Sequence, residues 1–212
     1  LVSSAFAIKQ GLAPDGGLYV PESIPEIDEE FVNSLLSLTY PEKAAKILSL
    51  YLDDFTEKEL LDYANAAYTN GVFPKEVAPL ASVNDKLSVL ELWHGPTAAF
   101  KDFALSIMPR LLTASLRKLG ETRTVLILVA TSGDTGKAAL EGYKDIDRIK
   151  IMVFYPVDGV SKVQKLQMAT QTGNNVNVCA IKGNFDDAQN GVKKIFSDKE
   201  AAKTLLEKSY IL

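Results

Sequence analysis

"TVLILVATSGDTGKAAL", residues 124–140, joins a continuous apolar run to a turn rich in Ser, Gly and Asp and then to a helical pattern. Short apolar runs without alternation are typical of parallel strands that are buried on both faces. The same order recurs twice, because "IKIMVFYP" (149–156) precedes "SKVQKLQMATQ" (161–171) and "VNVCAIKG" (176–183) precedes "FDDAQNGVKKIF" (185–196). Three such units in succession predict a doubly wound α/β lobe with a parallel sheet and right-handed crossovers.

The residues before this lobe have a different pattern. Residues 1–26 are rich in Gly and Pro, and "APDGGLYVPESIPEI" (13–27) predicts turns joining short extended pieces. Helical periodicity runs from Glu29 to about Asn70, with the best start at Thr56, which forms a capping box with Glu59. We therefore expect an irregular and helical N-terminal region before the sheet.

Two further elements lie between the helical region and the sheet. "LSVLELW" (87–93), after a connector interrupted by prolines, predicts a short buried strand. "FALSIMPRLLTASLRKLG" (103–120) predicts an amphipathic helix that ends at Gly120 and bends at Pro109; its predicted apolar face includes Ala104, Met108, Leu111 and Leu112. The chain then divides into a mainly helical region (1–86), a lysine-bearing strand and helix (87–123) and the α/β lobe (124–212).

The composition favours a globular protein that acts on small molecules. The 212 residues are 47% hydrophobic and carry a net charge of -4, so there is no broad positive field to attract nucleic acid. A single cysteine, Cys179, excludes a disulfide framework and is expected to be buried as a small hydrophobe. No apolar run reaches about 18 residues, and "LVSSAFAIKQ" (1–10) does not have the order of a signal peptide, which predicts a cytoplasmic protein.

Both ends of the sequence predict a longer natural protein. The chain begins with Leu1 and not with Met, and it ends in "EKSYIL" (207–212), which has the pattern of a strand that is just beginning. We therefore expect the chain to be truncated, with a further domain outside it.

The loop "ATSGDTGKAA" (130–139) places backbone N–H groups at the start of a helix, where anions bind. It is not a nucleotide P-loop, because Thr131 stands at the first glycine position and Ala138 follows the lysine. It is not a dinucleotide fingerprint either, since it has only Gly133 and Gly136. A small carboxylate or phosphate site and a capped turn without function remain open.

"HGPTAAFKDF" (94–103) sets Lys101 between Phe100 and Phe103, just behind a Gly-Pro-Thr turn. A lysine near a helix start often lays its stem on apolar surface and keeps the amine in water. A desolvated amine instead favours the neutral form, which attacks carbonyls, so a Schiff-base lysine is the functional hypothesis. The lone histidine, His94, either orients a substrate or satisfies a local hydrogen bond.

Five stretches of the chain resemble the threonine synthases, which are pyridoxal phosphate (PLP) enzymes of fold type II. In family order they are "GLAPDGGLYVPESIP" (11–25), "ELWHGPTAAFKDFAL" (91–105), "ATSGDTGKAAL" (130–140), "QKLQMATQTGNNV" (164–176) and "IKGNFDDAQNGVKKIF" (181–196). The resemblance implies that Lys101 bonds covalently to the PLP aldehyde and later moves protons between substrate carbons. It also implies a loop that holds the substrate carboxylate, formed by Thr131, Ser132, Gly133, Asp134 and Thr135.

The resemblance places Asp134, where many relatives carry Asn, beside the phenolic oxygen of the cofactor. It implies a lyase of amino-acid biosynthesis that converts O-phospho-L-homoserine and water into L-threonine and phosphate. A related PLP phospholyase or dehydratase that releases a 2-oxo acid, and a non-catalytic amino-acid-binding descendant, remain alternatives. In the family, the groups around the PLP phosphate and the pyridine nitrogen follow position 212, so we expect the chain alone to be inactive. The oligomeric state stays open.

Overall fold

The structure is a computed structural model that describes residues 1–212. The chain forms two compact units: the first consists of Leu1–His94 with Arg110–Glu121, and the second of Gly95–Pro109 with Thr122–Leu212. The division into three regions that the sequence suggests stays a prediction.

The first unit contains four complete helices: α1 (Ser4–Gln10), α2 (Glu29–Leu35), α3 (Tyr40–Leu48) and α4 (Glu57–Tyr68). The helical periodicity after Glu29 therefore marks three real helices. The capping box that starts α4 is present, because the Thr56 N–H donates to Oε2 of Glu59 at 2.8 Å and the Glu59 N–H donates to Oγ1 of Thr56 at 3.3 Å.

Helix α1 lies before the stretch that the sequence predicted to form turns and short extended pieces, and no particular element was predicted there. The helix has seven residues, too few for a clear periodic pattern. A distant carboxylate stabilises its first turn: the backbone N–H of Ala5 donates to Oδ2 of Asp54 at 2.8 Å, and the Ser4 hydroxyl donates to the other oxygen of Asp54. Such a contact is not visible in the local sequence.

The strand predicted within residues 87–93 exists, but the prediction that it is buried was wrong. β1 (Leu80–Asn84) and β2 (Leu87–Leu90) pair as an antiparallel hairpin, and all four residues of β2 are exposed. β1 falls within the stretch that the sequence assigned to a connector. Apolar density identifies a strand, but it does not tell whether another layer of the structure covers it.

Helix α5 runs from Asp102 to Lys118 and contains the buried Pro109. Its end at Gly120 is as predicted: the Gly120 N–H donates to the Arg117 carbonyl at 3.1 Å, and the Glu121 N–H donates to the Leu116 carbonyl at 2.8 Å. This is a Schellman motif, in which the glycine takes a positive φ of 65°. Of the predicted apolar face, Leu111 and Leu112 are buried, Met108 is half-buried and Ala104 is exposed. The bend at Pro109 stays a prediction.

The second unit contains a four-stranded parallel sheet in the order β5-β4-β3-β6, which confirms the predicted α/β class. Its strands are β3 (Thr124–Ala130), β4 (Ile149–Pro156), β5 (Val176–Ile181) and β6 (Tyr210–Ile211), and its helices are α6 (Asp134–Tyr143), α7 (Lys162–Ala169), α8 (Phe185–Ser197) and α9 (Lys199–Glu207). The chain moves outward from β3 to β5 and then returns to the other side of β3. Right-handed crossovers therefore put α6 and α7 on one face and α8 and α9 on the other.

Burial is deepest in the central strand β4, where Ile149, Ile151 and Val153 are almost fully buried. Cys179 lies on β5, at the edge of the sheet, and is half-buried; the prediction that it is buried was therefore wrong. Across residues 1–212, the structure has no helix with the length and apolar character needed to span a bilayer.

Candidate functional site

The loop between β3 and α6 is organised around the side chain of Thr131. The Thr131 N–H extends the ladder of the sheet by donating to the Phe154 carbonyl at 3.0 Å. The Thr131 hydroxyl oxygen accepts hydrogen bonds from the N–H groups of Gly133 at 3.0 Å and Gly136 at 2.9 Å, and the residue is only 2% exposed. Because its hydroxyl is engaged with the loop backbone, the Thr131 side chain shapes the loop from inside.

Both glycines of the loop occupy positions that exclude a side chain. Gly133, the N-cap of α6, has a φ of 145°, and a Cβ atom there would lie 2.5 Å from Nε2 of Gln164. A Cβ atom on Gly136 would lie 2.8 Å from the Cβ atom of Thr131. Only glycine allows the helix start to approach Thr131 and Gln164 this closely.

Three backbone N–H groups of the loop, those of Ser132, Asp134 and Thr135, have no protein acceptor. All three residues are exposed, and they lie at the N-terminal end of α6, where the helix dipole favours negative charge. This arrangement suits a small anion such as a carboxylate. The role of these residues as substrate ligands stays a prediction.

The carboxylate of Asp134 is held by a residue that sequence reasoning did not select. Nε2 of Gln164, in the first turn of α7, donates to Oδ1 of Asp134 at 2.7 Å. Oε1 of the same amide accepts the Ser161 N–H at 3.0 Å and so completes the capping box with which α7 begins. The capping pattern was visible in the sequence, but the contact across 30 residues was not.

The turn before Lys101 folds around the carboxylate of Asp102, a residue that sequence reasoning also left unassigned. Asp102 is 1% exposed; its Oδ2 accepts the N–H groups of Thr97 at 2.8 Å and Ala99 at 3.4 Å, and its Oδ1 accepts the Thr97 hydroxyl at 2.6 Å. A buried carboxylate needs such donors, because without them the desolvation of its charge is unfavourable. An acidic residue at the first position of a helix, five residues after a threonine, was the available signal.

The amine of Lys101 has no hydrogen bond or ion pair to the protein. Its Nζ atom lies 5.1 Å from the centroid of the Phe100 ring, and the lysine is half-buried. Asp102, the next residue, directs both of its oxygens to the turn and does not pair with this amine. The predicted apolar surroundings are only partly present, because Phe100 is 62% exposed and Phe103 is half-buried.

His94 belongs to the first unit, and its local contacts match the structural alternative drawn from the sequence. Its Nε2 atom lies 2.6 Å from Oε2 of Glu91, and its ring stacks on Trp93 with 5.7 Å between centroids. Its role in orienting a substrate stays a prediction.

Within the second unit, the helix that follows Lys101 packs closely against the helix that follows the loop. A Cβ atom on Gly142 of α6 would overlap with the carbonyl oxygen of Leu105 of α5 and lie 2.8 Å from its carbonyl carbon. The structure thus gathers residues 131–135 in one loop and places Lys101 on a separate turn of the same unit.

The chain is similar to known proteins in both sequence and fold. Residues 1–68 match the family model for the threonine synthase N terminus. The chain is 46% identical over 194 residues to threonine synthase of Pseudomonas aeruginosa, covering 89% of this chain and 40% of that protein. It is 37% identical over 194 residues to threonine synthase-like 2 of Mus musculus, covering 91% of this chain and 40% of that protein.

A crystal structure of PLP-bound threonine synthase from Brucella melitensis has the same fold, with a TM-score of 0.85 and 37% identity over 94% of this chain and 42% of that one. Fold and loop together define an α/β protein in which a helix start with free N–H groups lies at the carboxyl end of a parallel strand. The chain is a homologue of the N-terminal portion of the threonine synthases. It spans 40% of the length of the curated relatives named here.

Proposed function

We propose that the protein carrying this chain is a threonine synthase, which converts O-phospho-L-homoserine and water into L-threonine and phosphate with PLP as cofactor. The observation that carries the proposal is that the amine of the half-buried Lys101 has no hydrogen bond or ion pair to the protein, although a carboxylate stands next to it in sequence. The similarity of the chain to threonine synthases supports the proposed function.

The residues present fit an aldehyde cofactor at Lys101. A lysine amine without an ion pair is available to form a covalent bond with an aldehyde carbon. When bound, PLP supplies an electron sink for charge that develops on the substrate carbons. Once the substrate amine has displaced it from the cofactor, the freed Lys101 amine would take a proton from one substrate carbon and return one to another, as a general base and acid.

The β3–α6 loop binds the substrate carboxylate in this proposal. The free N–H groups of Ser132, Asp134 and Thr135 are its donors, while Thr131 and Gly133 give the loop its shape. Together with Lys101, Asp134 would be one of the residues of this chain that hold the cofactor. Such fixed donors orient the α-carbon of the substrate without rearrangement during the reaction.

Product analysis of the full-length gene product tests this function. Purified protein is incubated with PLP and O-phospho-L-homoserine, and amino acids, 2-oxo acids and phosphate are quantified. We expect threonine and phosphate in equal amounts, with both abolished in Lys101→Ala. Release of 2-oxobutanoate without threonine would instead identify an eliminating enzyme. Substrate binding without turnover by the PLP-loaded protein would identify an amino-acid-binding descendant.

A further inference from the structure

Two glutamine side chains, one in α7 and one just after its end, donate hydrogen bonds to carboxylates of α6. Gln164 donates to Asp134 at 2.7 Å, and Gln171 donates to Glu141 at 3.0 Å through its own Nε2 atom. In each pair the glutamine follows its carboxylate partner by 30 residues. Only the first contact reaches the loop, which makes the second a natural control.

The orientation of the Gln164 amide is fixed by its second hydrogen bond. Its oxygen accepts the Ser161 N–H, so its NH₂ group is the one that faces Asp134. Asp134 therefore accepts through Oδ1, while its Oδ2 has no protein partner. The Gln164 amide thus completes the capping box of α7 and also acts as a clamp on the exposed carboxylate of Asp134 at the start of α6.

Gln164 also limits the path of the loop backbone. Its side chain fills the space where a Cβ atom of Gly133 would lie, and Gly133 stands between the free N–H groups of Ser132 and Asp134. Displacement of the Gln164 side chain would therefore release both the Asp134 carboxylate and the peptide between two anion donors.

From these contacts we infer that Gln164 is a positioning residue, which fixes the carboxylate of Asp134 and the amide groups that bind the substrate carboxylate. The part of this inference that concerns substrate rests on the proposed function. The clamp itself rests only on contacts among Gln164, Asp134, Gly133 and Ser161.

The substitution Gln164→Glu separates the two roles of the side chain. A glutamate at this position still accepts the Ser161 N–H, as in an ordinary capping box, but it does not donate to Asp134 and places a like charge beside it. The matched control is Gln171→Glu, the same chemical change at a side chain that bonds to Glu141 and Lys137 of α6 and to none of the loop residues 131–135. Both variants, Asp134→Asn and the double variant Asp134→Asn with Gln164→Glu are made in the full-length gene product.

We expect Gln164→Glu to lower kcat/KM for O-phospho-L-homoserine about tenfold, mainly through KM, and Gln171→Glu to stay within about twofold of the parent. Hydrogen exchange of the peptide spanning residues 131–137 should accelerate in Gln164→Glu only. When Asp134→Asn is already present, adding Gln164→Glu should have no effect, because the asparagine NH₂ group donates to the glutamate and restores the bond with reversed direction.

Equal effects of Gln164→Glu with and without Asp134→Asn would overturn the inference, as would an unchanged exchange rate and KM. If the parent protein makes no threonine, the proposed function fails, and hydrogen exchange alone then decides on the clamp by the same comparison of backgrounds.

Discussion

A Cβ atom on Gly95 would lie 2.6 Å from Oδ2 of Asp102, so the backbone at position 95 passes directly against the buried carboxylate of the first residue of α5. The same carboxylate accepts the N–H groups of Thr97 and Ala99. The turn that carries Lys101 is therefore built around a neighbouring acidic side chain that does not pair with the lysine.

Replacement of Asp102 by alanine should destabilise this turn. In Asp102→Ala, two backbone N–H groups lose their acceptor, and we expect the free energy of unfolding to fall by about 1–3 kcal/mol. Asp102→Asn is the control: its carbonyl oxygen still accepts both N–H groups, and the Thr97 hydroxyl can reverse to accept the NH₂ group. Urea unfolding followed by circular dichroism measures both. Equal stability of the two variants would contradict this account of the turn.

The hydroxyl of Thr131 should matter more than its methyl group. Thr131→Val keeps the shape but leaves the N–H groups of Gly133 and Gly136 without an acceptor, and we expect a loss of about 1–3 kcal/mol. Thr131→Ser keeps the acceptor and should be the more stable of the two variants. Urea unfolding provides the comparison, and a serine variant less stable than the valine variant would exclude the role assigned to the hydroxyl.

Two glycines in helices should respond to alanine in opposite directions. Gly142→Ala brings a methyl group into the Leu105 carbonyl, and we expect a loss of about 1–3 kcal/mol from overpacking. A methyl group on Gly191 of α8 would meet no heavy atom of another element within 4 Å, so Gly191→Ala should gain about 0.5–1 kcal/mol from helix propensity. Thermal unfolding of both variants tests the pair. A stabilised Gly142→Ala protein would show that α5 and α6 are not packed as described.

The ion pair between Glu59 and Lys118 should make stability depend on pH. The hydrogen bond from Lys118, together with that from the Thr56 backbone, lowers the pKa of Glu59 from 4.5 to about 2. Because the folded state favours the ionised form, the stabilisation is present above pH 4.5 and is lost as the pH falls toward 2. Glu59 is about one-third exposed, so solvent screening limits the effect to at most about 1 kcal/mol.

Lys118→Met tests this pair while keeping an apolar stem near Phe55. The variant should be less stable than the parent at neutral pH, and the difference should shrink as the pH approaches 2 or the salt concentration rises. Urea unfolding at several pH values gives the difference. A loss of stability that does not change with pH would assign the effect of Lys118 to packing.

The sequence predicted the sheet well because each strand–helix unit carries its own signals. Residues 149–156 form β4 with the predicted bounds, and α7 and α8 begin within the stretches predicted to be helical after β4 and β5. The features that the sequence did not predict depend on contacts between distant residues. Helix α1 needs Asp54, and the exposure of β2 depends on what packs against the hairpin.

The residues of the candidate site show the same difference between local signals and contacts that the local sequence does not reveal. Lys101 and residues 131–135 were selected from local motifs and from a resemblance, whereas Gln164 and Asp102 were missed. Gln164 reaches Asp134 across 30 residues, and Asp102 is defined by its burial and by the donors of its turn. Neither property has a periodic signature in the sequence.

The central claim is that the Lys101 amine carries the cofactor, and mass spectrometry tests it most directly. The full-length gene product is incubated with PLP, reduced with borohydride, digested and sequenced by tandem mass spectrometry. We predict a pyridoxyl group on Lys101 and none in the Lys101→Ala variant. A pyridoxyl group on a different side chain, or no modified peptide at all, would contradict the account.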